Sequence, residues 1–198
     1  MKNVLKMTAL VLCCVALVAC SQKGPAEAAL TAAQTAVDGV KAEAAKYVPD
    51  QAKSLMASLT SAREAFDKGD YKMALEMANA IPAKAKEAAA AVAAKKDELT
   101  KSFNDLSASV GPMIQQVKDK IAALSAMKKL PKDMDKAKLE AAKTTLADIQ
   151  KATDDAITTF KAGNLTEAVA KGNAVKAKVT ETLASLGVAP AAPAAAAK

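Results

Sequence analysis

The sequence predicts an all-α protein, an elongated antiparallel bundle of about six helices arranged as two three-helix units. Three observations lead to this prediction. Apolar residues recur at spacings of three and four, which places them on one face of a helix. No segment of useful length alternates apolar and polar residues as a half-buried strand does, and β-branched residues are sparse. Glycine and proline separate the helical segments from one another.

The first 19 residues have the layout of a secretory signal peptide. Lys2 and Lys6 give a basic start, and an unbroken apolar run of 13 residues follows from Met7 to Ala19. A helix needs about 20 apolar residues to span a bilayer, so this run is short for a permanent membrane span. The sequence turns polar immediately afterwards, at Ser21. We therefore expect residues 1–19 to be removed.

The four residues Leu17-Val18-Ala19-Cys20 resemble the lipobox of bacterial lipoproteins. The resemblance implies cleavage between Ala19 and Cys20, a diacylglyceryl thioether and an N-acyl chain such as palmitate on Cys20, and residues 20–24 as a lipidated tether. Ser21, rather than Asp, resembles the pattern of lipoproteins held at the outer membrane and facing the periplasm in Gram-negative bacteria. The alternatives are an ordinary secreted protein cut near Ala19 and an uncleaved N-terminal helix.

The first predicted unit covers residues 25–110 and holds three helices. Pro25 suits the first position of a helix, and Val48-Pro49 ends that helix because a residue before proline is disfavoured in helical geometry. The second helix ends at Lys68-Gly69, and Asp70 caps the third. Pro82 is expected to kink the third helix, which ends at Gly111-Pro112. The stripe residues of the second helix are Ala52, Leu55, Leu59, Ala62 and Phe66.

The second predicted unit covers residues 111–187. Pro112 opens a fourth helix that closes at Leu130-Pro131, and Asp133 or Asp135 caps a long fifth helix. Gly163-Asn164 separates the fifth helix from the sixth, which Gly187 ends. Residues 188–198 form an Ala/Pro-rich tail, which we expect to be disordered because it has two prolines and no large apolar side chain apart from Val188.

Part of the first unit recurs in the second at a constant offset of 94 residues. The segment from Phe66 to Ala74 aligns with the segment from Phe160 to Ala168, and the same offset matches Lys84 with Lys178. This predicts an internal duplication. The first copy, with its alanine-rich helix, Tyr47-Val-Pro49 and Phe66-Asp-Lys-Gly-Asp-Tyr71, also resembles a domain of unknown function found in bacterial envelope lipoproteins, whose members are helical and often lipid-anchored.

The composition excludes most catalytic and metal chemistry. The chain has no histidine, and Cys13 and Cys14 leave with the signal peptide, so imidazole and free thiolate ligands are missing once Cys20 is acylated. We therefore expect no enzyme, no cofactor and no metal site. The close acidic pairs, such as Asp154-Asp155, lie beside lysines and are interpreted as solvated faces or caps. Nucleic acid is not expected as a partner, because Arg63 is the one arginine and aromatic residues are few.

The expected role is binding or scaffolding in the cell envelope, with carriage of a lipid or other apolar ligand between helices as the alternative. Residues 112–143 hold eight lysines against four acidic residues, which suits an anionic surface as partner or simply a soluble face. An envelope protein, or a second copy packed through the alanine stripes, is another expected partner. The methionines after residue 20 are interpreted as core residues. Lys198 resembles the terminal lysine through which the small murein lipoprotein is linked to peptidoglycan; a solvated chain end is the alternative.

Overall fold

The computed structural model describes residues 2–132 and 134–188, with side chains for residues 22–132 and 134–188. Over these residues the protein has five α-helices and no β-strand, so the prediction of an all-α protein is confirmed. The helices are α1 (Lys2–Tyr47), α2 (Pro49–Asp67), α3 (Tyr71–Ala126), α4 (Lys136–Lys161) and α5 (Leu165–Ser185).

Most helix ends lie where the turn chemistry of the sequence places them. Val48 alone separates α1 from α2, and it is non-helical (φ −139°, ψ 63°) because Pro49 follows it. Asp135 caps α4, its carboxylate accepting a hydrogen bond from the Lys138 N–H at 2.7 Å. Gly187 ends α5 with φ +71°, a conformation that side chains with a Cβ rarely adopt.

Five helices are present, where the sequence analysis predicts about six, because α3 does not end at Gly111-Pro112. Proline removes one backbone hydrogen bond from a helix. That loss is offset here by continuous burial on both sides of the pair, where Val110 and Ile114 lie in the core with little exposed surface. The third and fourth predicted helices are therefore one helix of 56 residues, and it also runs through Pro82.

The chain divides into two compact units, unit 1 (Met1–Lys95) and unit 2 (Lys96–Lys198), and the division falls within α3. In unit 1, α1, α2 and the first part of α3 share an apolar core that includes Val37, Leu59 and Ile81. In unit 2, the second part of α3 packs with α4 and α5 around Val117, Ile149 and Val179. Each unit is thus built from three helical segments that bury one apolar stripe apiece.

The turns that join the last two helical segments of each unit repeat one another bond by bond at an offset of 94 residues. In unit 1 the Gly69 N–H donates to the Phe66 carbonyl at 2.9 Å, the Asp70 N–H to the Ala65 carbonyl at 2.9 Å and the Ala74 N–H to the Asp70 carbonyl at 2.9 Å. The corresponding bonds of unit 2 measure 2.9, 3.1 and 2.9 Å and are made by the N–H groups of Gly163, Asn164 and Ala168. Both glycines have positive φ, 82° and 79°, as a Schellman-type helix end requires.

The interpretation of the methionines as core residues is wrong for four of them. Met56, Met73, Met77 and Met127 expose 37 to 49% of their surface, whereas Met134 is buried. Met73 and Met77 stand one turn apart on α3, beyond the stripe that faces α1 and α2. A flexible, polarisable methionine tolerates such half-exposed positions, so periodicity alone did not distinguish them from core residues.

Candidate functional site

The site residues expected from the sequence do not have described side chains. Ala19 and Cys20 lie within α1, in the part where side-chain placement is not described, and Lys198 lies outside the described residues. The candidate site found in the structure is a different feature, a cavity inside unit 2.

This unit 2 cavity has a volume of about 240 Å³ and opens between α3 and α4. Its floor is formed by buried side chains of α3 and α5, among them Val110, Ile114 and Val175. Ser107 and Gly111 of α3 lie at its exposed edge. None of the side chains lining the cavity carries a charge, so its chemistry is that of an apolar ligand site with two hydroxyl groups, those of Ser107 and Thr153.

A stacked aromatic pair and a row of small residues explain why the space exists. Phe103 of α3 and Phe160 of α4 stack with ring centroids 4.3 Å apart at one end of the cavity. Two rings between neighbouring helices hold the helix axes further apart than alanines do, since interhelical distance follows the side chains at the contact. Beyond the rings, Ser107, Gly111 and Thr153 are too small to fill the gap that remains.

Unit 1 provides a direct comparison, because the two units bury corresponding positions. In α2 and the first part of α3 the buried positions recur at an offset of 94, as for Leu55 with Ile149 and Ile81 with Val175. In α1 the buried positions recur in α3 at an offset of 77. The matched pairs are Ala26 with Phe103, Ala33 with Val110, Val37 with Ile114, Ala44 with Ile121 and Tyr47 with Leu124.

Larger side chains stand in unit 1 at the positions that border the cavity in unit 2. Leu30 corresponds to Ser107 and packs against the unit 1 core, and Leu59 corresponds to Thr153 and is 6% exposed. Gln34 corresponds to Gly111. The Arg63 guanidinium, at the position of Ile157, donates to the Gln34 Oε1 at 2.6 Å and so bridges α2 to α1. Unit 1 thus occupies with its own side chains the space that unit 2 leaves open.

The bridge in unit 1 continues into a small polar network. The Gln34 amide donates to Asp38 at 2.7 Å and the Lys41 ammonium to the same carboxylate at 2.8 Å. These two hydrogen bonds lower the pKa of Asp38 from its ordinary value. The network lies at the surface, and its effect is to fix Gln34 across the seam between α1 and α2.

Unit 2 has its own charged cluster, on the surface between α4 and α5. The Lys171 ammonium contacts Asp155 at 2.9 Å and Glu167 at 3.0 Å, and donates to the Thr159 hydroxyl at 2.9 Å. Hydrogen bonds to Asp155 and then Glu167 raise the pKa of Lys171. Asp155, one of the paired acids of the sequence, therefore joins two helices.

No protein family, curated protein or solved structure matches this chain. The described side chains contain no group of three or more residues suited to hold a metal ion. Within the described residues, none of the helices combines the length and the hydrophobicity needed to cross a bilayer.

The sequence analysis did not identify the residues of the cavity, although it contained a usable signal. At the offset of 94, Leu59 aligns with Thr153 and Arg63 with Ile157, so the first copy is larger and more polar at these two positions. The other half of the site required the offset of 77 between α1 and α3. The match of Val48-Pro49 with Leu130-Pro131, at an offset of 82, obscured it.

Proposed function

We propose that this chain is a lipid-anchored protein of the bacterial cell envelope, and that its helical body acts by binding or scaffolding. The observation that carries the anchor is the order of basic residues, apolar run and Leu17-Val18-Ala19-Cys20. Several acyl chains on Cys20 hold a protein firmly, since each buried methylene contributes about 0.8 kcal/mol and a single chain holds reversibly. In a Gram-negative host the body faces the periplasm from the outer membrane.

Metabolic labelling with a palmitate analogue tests the anchor. The wild-type protein is expected to take up label and to fractionate with the membrane, and the variant Cys20→Ala to lose the label. Cys13→Ala and Cys14→Ala are matched controls, because the same change then falls inside the segment expected to be removed. Label that persists in Cys20→Ala would refute acylation at this residue.

We infer that the body arose by duplication of a three-helix unit. The repeated turn hydrogen bonds and the matched buried positions support this, because both follow constant offsets. The two offsets differ by 17 residues. Between the first and second helical segments, unit 1 has Val48 alone, whereas unit 2 has residues 127–135 and a longer α4. The extra residues of the second copy thus lie at one connection and leave the rest of the pattern in register.

The longer connection supports contact with an anionic surface. Lys128, Lys129 and Lys132 are exposed in it, and so is Met127, at 49%. Each lysine near an anionic membrane surface contributes about 1 kcal/mol to binding. Binding of the full-length protein to vesicles containing phosphatidylglycerol, but not to pure phosphatidylcholine, is expected, and the triple change of these lysines to glutamine is expected to weaken it. Equal binding of wild type and triple variant would contradict this partner.

Carriage of an apolar ligand is the second candidate function, and the unit 2 cavity is the observation that favours it. A scaffold gains nothing from an open apolar space in its core, since unfilled volume lowers stability. The uncharged lining and the opening toward solvent between α3 and α4 suit a ligand that enters and leaves. Native mass spectrometry of the protein released from its own membranes tests this role, with a co-purifying apolar molecule as the expected result.

A further inference from the structure

We propose that the unit 2 cavity binds one unbranched aliphatic chain, such as the acyl chain of a fatty acid or phospholipid, and that unit 1 is the closed copy of the same site. The inference rests on the carrier role proposed above and names its ligand class and its location. It depends on three properties of the cavity: its lining, its dimensions and its counterpart in unit 1.

The lining selects against a charged or strongly polar ligand. The walls are apolar side chains and glycines apart from Ser107 and Thr153. The Thr153 hydroxyl already donates to the Ile149 carbonyl at 2.7 Å, so its proton is used within α4. A charged group buried here would lack a partner, which is costly, so the polar end of a ligand stays in solvent at the edge near Gly111.

The dimensions select a thin ligand. On α3 the lining residues run from Phe103 to Ile114, which is about 16 Å of helix at 1.5 Å per residue. A volume of about 240 Å³ spread over that length gives a mean width of about 4 Å. Carbon atoms in contact lie about 3.5 to 4.0 Å apart, so this width accommodates a single methylene chain. A fused-ring ligand is wider than the space between the walls.

The depth of the cavity favours a ligand chain over the side chains of a docked protein. Its floor reaches Gly172 of α5, the helix behind the α3 and α4 pair. A Cβ on Gly172 would lie 3.3 Å from the Leu106 Cδ1, so α5 already approaches α3 closely at this level. An occupant must therefore pass between α3 and α4 and lie along the seam, as a flexible chain can.

The counterpart in unit 1 shows which residues control access. Leu30 and Leu59 occupy the positions of Ser107 and Thr153, and both pack in the unit 1 core. Placing these leucines in unit 2, as the double variant Ser107→Leu with Thr153→Leu, should fill the cavity with side chains that the same arrangement already accepts in unit 1. Gly111→Leu is a second variant, because a Cβ at Gly111 meets no atom within 4 Å and the position is exposed within a helix.

Photocrosslinking of the full-length protein in lipid nanodiscs tests the proposal. One arm uses a diazirine-bearing palmitic acid, the other a phosphatidylglycerol with the diazirine on an acyl chain, and mass spectrometry locates the adducts. In the wild type we expect adducts on the α3 and α4 residues that line the cavity, and competition by excess palmitate. Labelling by the first probe alone identifies a free fatty acid as the ligand, and labelling by both shows that the headgroup is not read.

In the double variant and in Gly111→Leu we expect adduct yield at the cavity to fall by about tenfold or more, as when an apolar pocket is filled. Thr144→Leu is the matched control: Thr144 is an exposed threonine of α4 whose hydroxyl also donates to a backbone carbonyl, that of Glu140 at 3.2 Å, and it lies outside the cavity lining. Its yield should stay at the wild-type level, and circular dichroism should show all variants helical.

The outcomes separate the location of the site from the carrier role. Adducts elsewhere in the described body, unchanged in the double variant and in Gly111→Leu, would overturn the assignment to this cavity and leave the carrier role standing. Adducts of equal yield at the corresponding positions of unit 1 would overturn the distinction between an open and a closed copy. An absence of competable adducts from both probes in the wild type would refute the carrier role itself.

Discussion

Replacing Gly111 with alanine should raise the free energy of unfolding by about 1 kcal/mol. Gly111 lies inside α3, which continues to Ala126. Glycine costs about 0.8 to 1.0 kcal/mol relative to alanine in a helix interior, because more backbone freedom is lost on folding. A Cβ at this position meets nothing within 4 Å, so no steric cost offsets the gain. The full propensity difference should therefore be measured.

The same substitution should have the opposite sign if a helix ended at this residue. The sequence analysis places a helix end at Gly111-Pro112, where glycine would adopt positive φ and an added Cβ would cost about 1 to 2 kcal/mol. Gly163 is the control for that situation, since it ends α4 with φ +79°. Gly163→Ala should destabilise the protein by about 1 to 2 kcal/mol, although its Cβ also meets no neighbour within 4 Å.

Urea unfolding followed by far-ultraviolet circular dichroism measures both variants. The free energy is extrapolated linearly to zero denaturant, and the analysis requires the slope to match the wild type. Because the chain has two compact units, the fit must allow two transitions, and the change should fall in the transition of unit 2. A Gly111→Ala variant that is equal to or less stable than the wild type would refute a continuous α3.

Three further predictions concern unit 2. Ile149 is fully buried, so Ile149→Ala should cost about 2 to 5 kcal/mol, measured by the same urea titration, and a cost below about 1 kcal/mol would contradict its place in the core. Asp135→Ala removes the cap bond to the Lys138 N–H and should cost about 1 kcal/mol, whereas Asp135→Asn should retain most of it. The pKa of Lys171 is raised in the folded state, so its contribution is present below its ordinary pKa of 10.5 and is lost as pH rises through the folded value. Thermal unfolding above pH 10.5 should therefore fall more steeply in the wild type than in Lys171→Met, and parallel curves would refute the ion cluster.

The helical class and most helix ends could be predicted because local chemistry decides them. A residue before proline, as at Val48, leaves helical geometry regardless of its surroundings. A glycine such as Gly69 followed by Asp70 ends one helix and caps the next. Each of these signals acts within a few residues, so the sequence contains it in full.

The junction at Gly111-Pro112 was predicted wrongly because tertiary packing outweighs local propensity there. The apolar spacing does not change phase across the pair: Val110, Ile114 and Val117 keep the three-and-four rhythm of Phe103 and Leu106. A helix break usually shifts that phase, so its continuity was the better signal. The burial of these residues against α4 and α5 favours one helix despite the missing N–H of Pro112.

The cavity could not be predicted because it depends on differences between side chains that are distant in sequence. Ser107 and Thr153 are ordinary small residues on helices, and nothing local to either indicates that they face one another. They become informative only beside Leu30 and Leu59, once α1 is aligned with the second part of α3. That alignment requires the burial pattern, since α1 and α3 share few identical residues at the offset of 77.

An open core has a consequence for stability that links the two units. Unit 1 closes its seam with buried leucine and the bridge from Arg63 to Gln34, whereas unit 2 has the Phe103–Phe160 stack and the Lys171 cluster at other positions. Those contacts stabilise unit 2 without filling the cavity, so a ligand that occupies it adds stability to unit 2 alone. A ligand at 100 times its dissociation constant adds about 2.7 kcal/mol to the state that binds it. An aliphatic ligand should therefore move one of two unfolding transitions and leave the other in place, which a ligand adsorbed over the whole surface could not do.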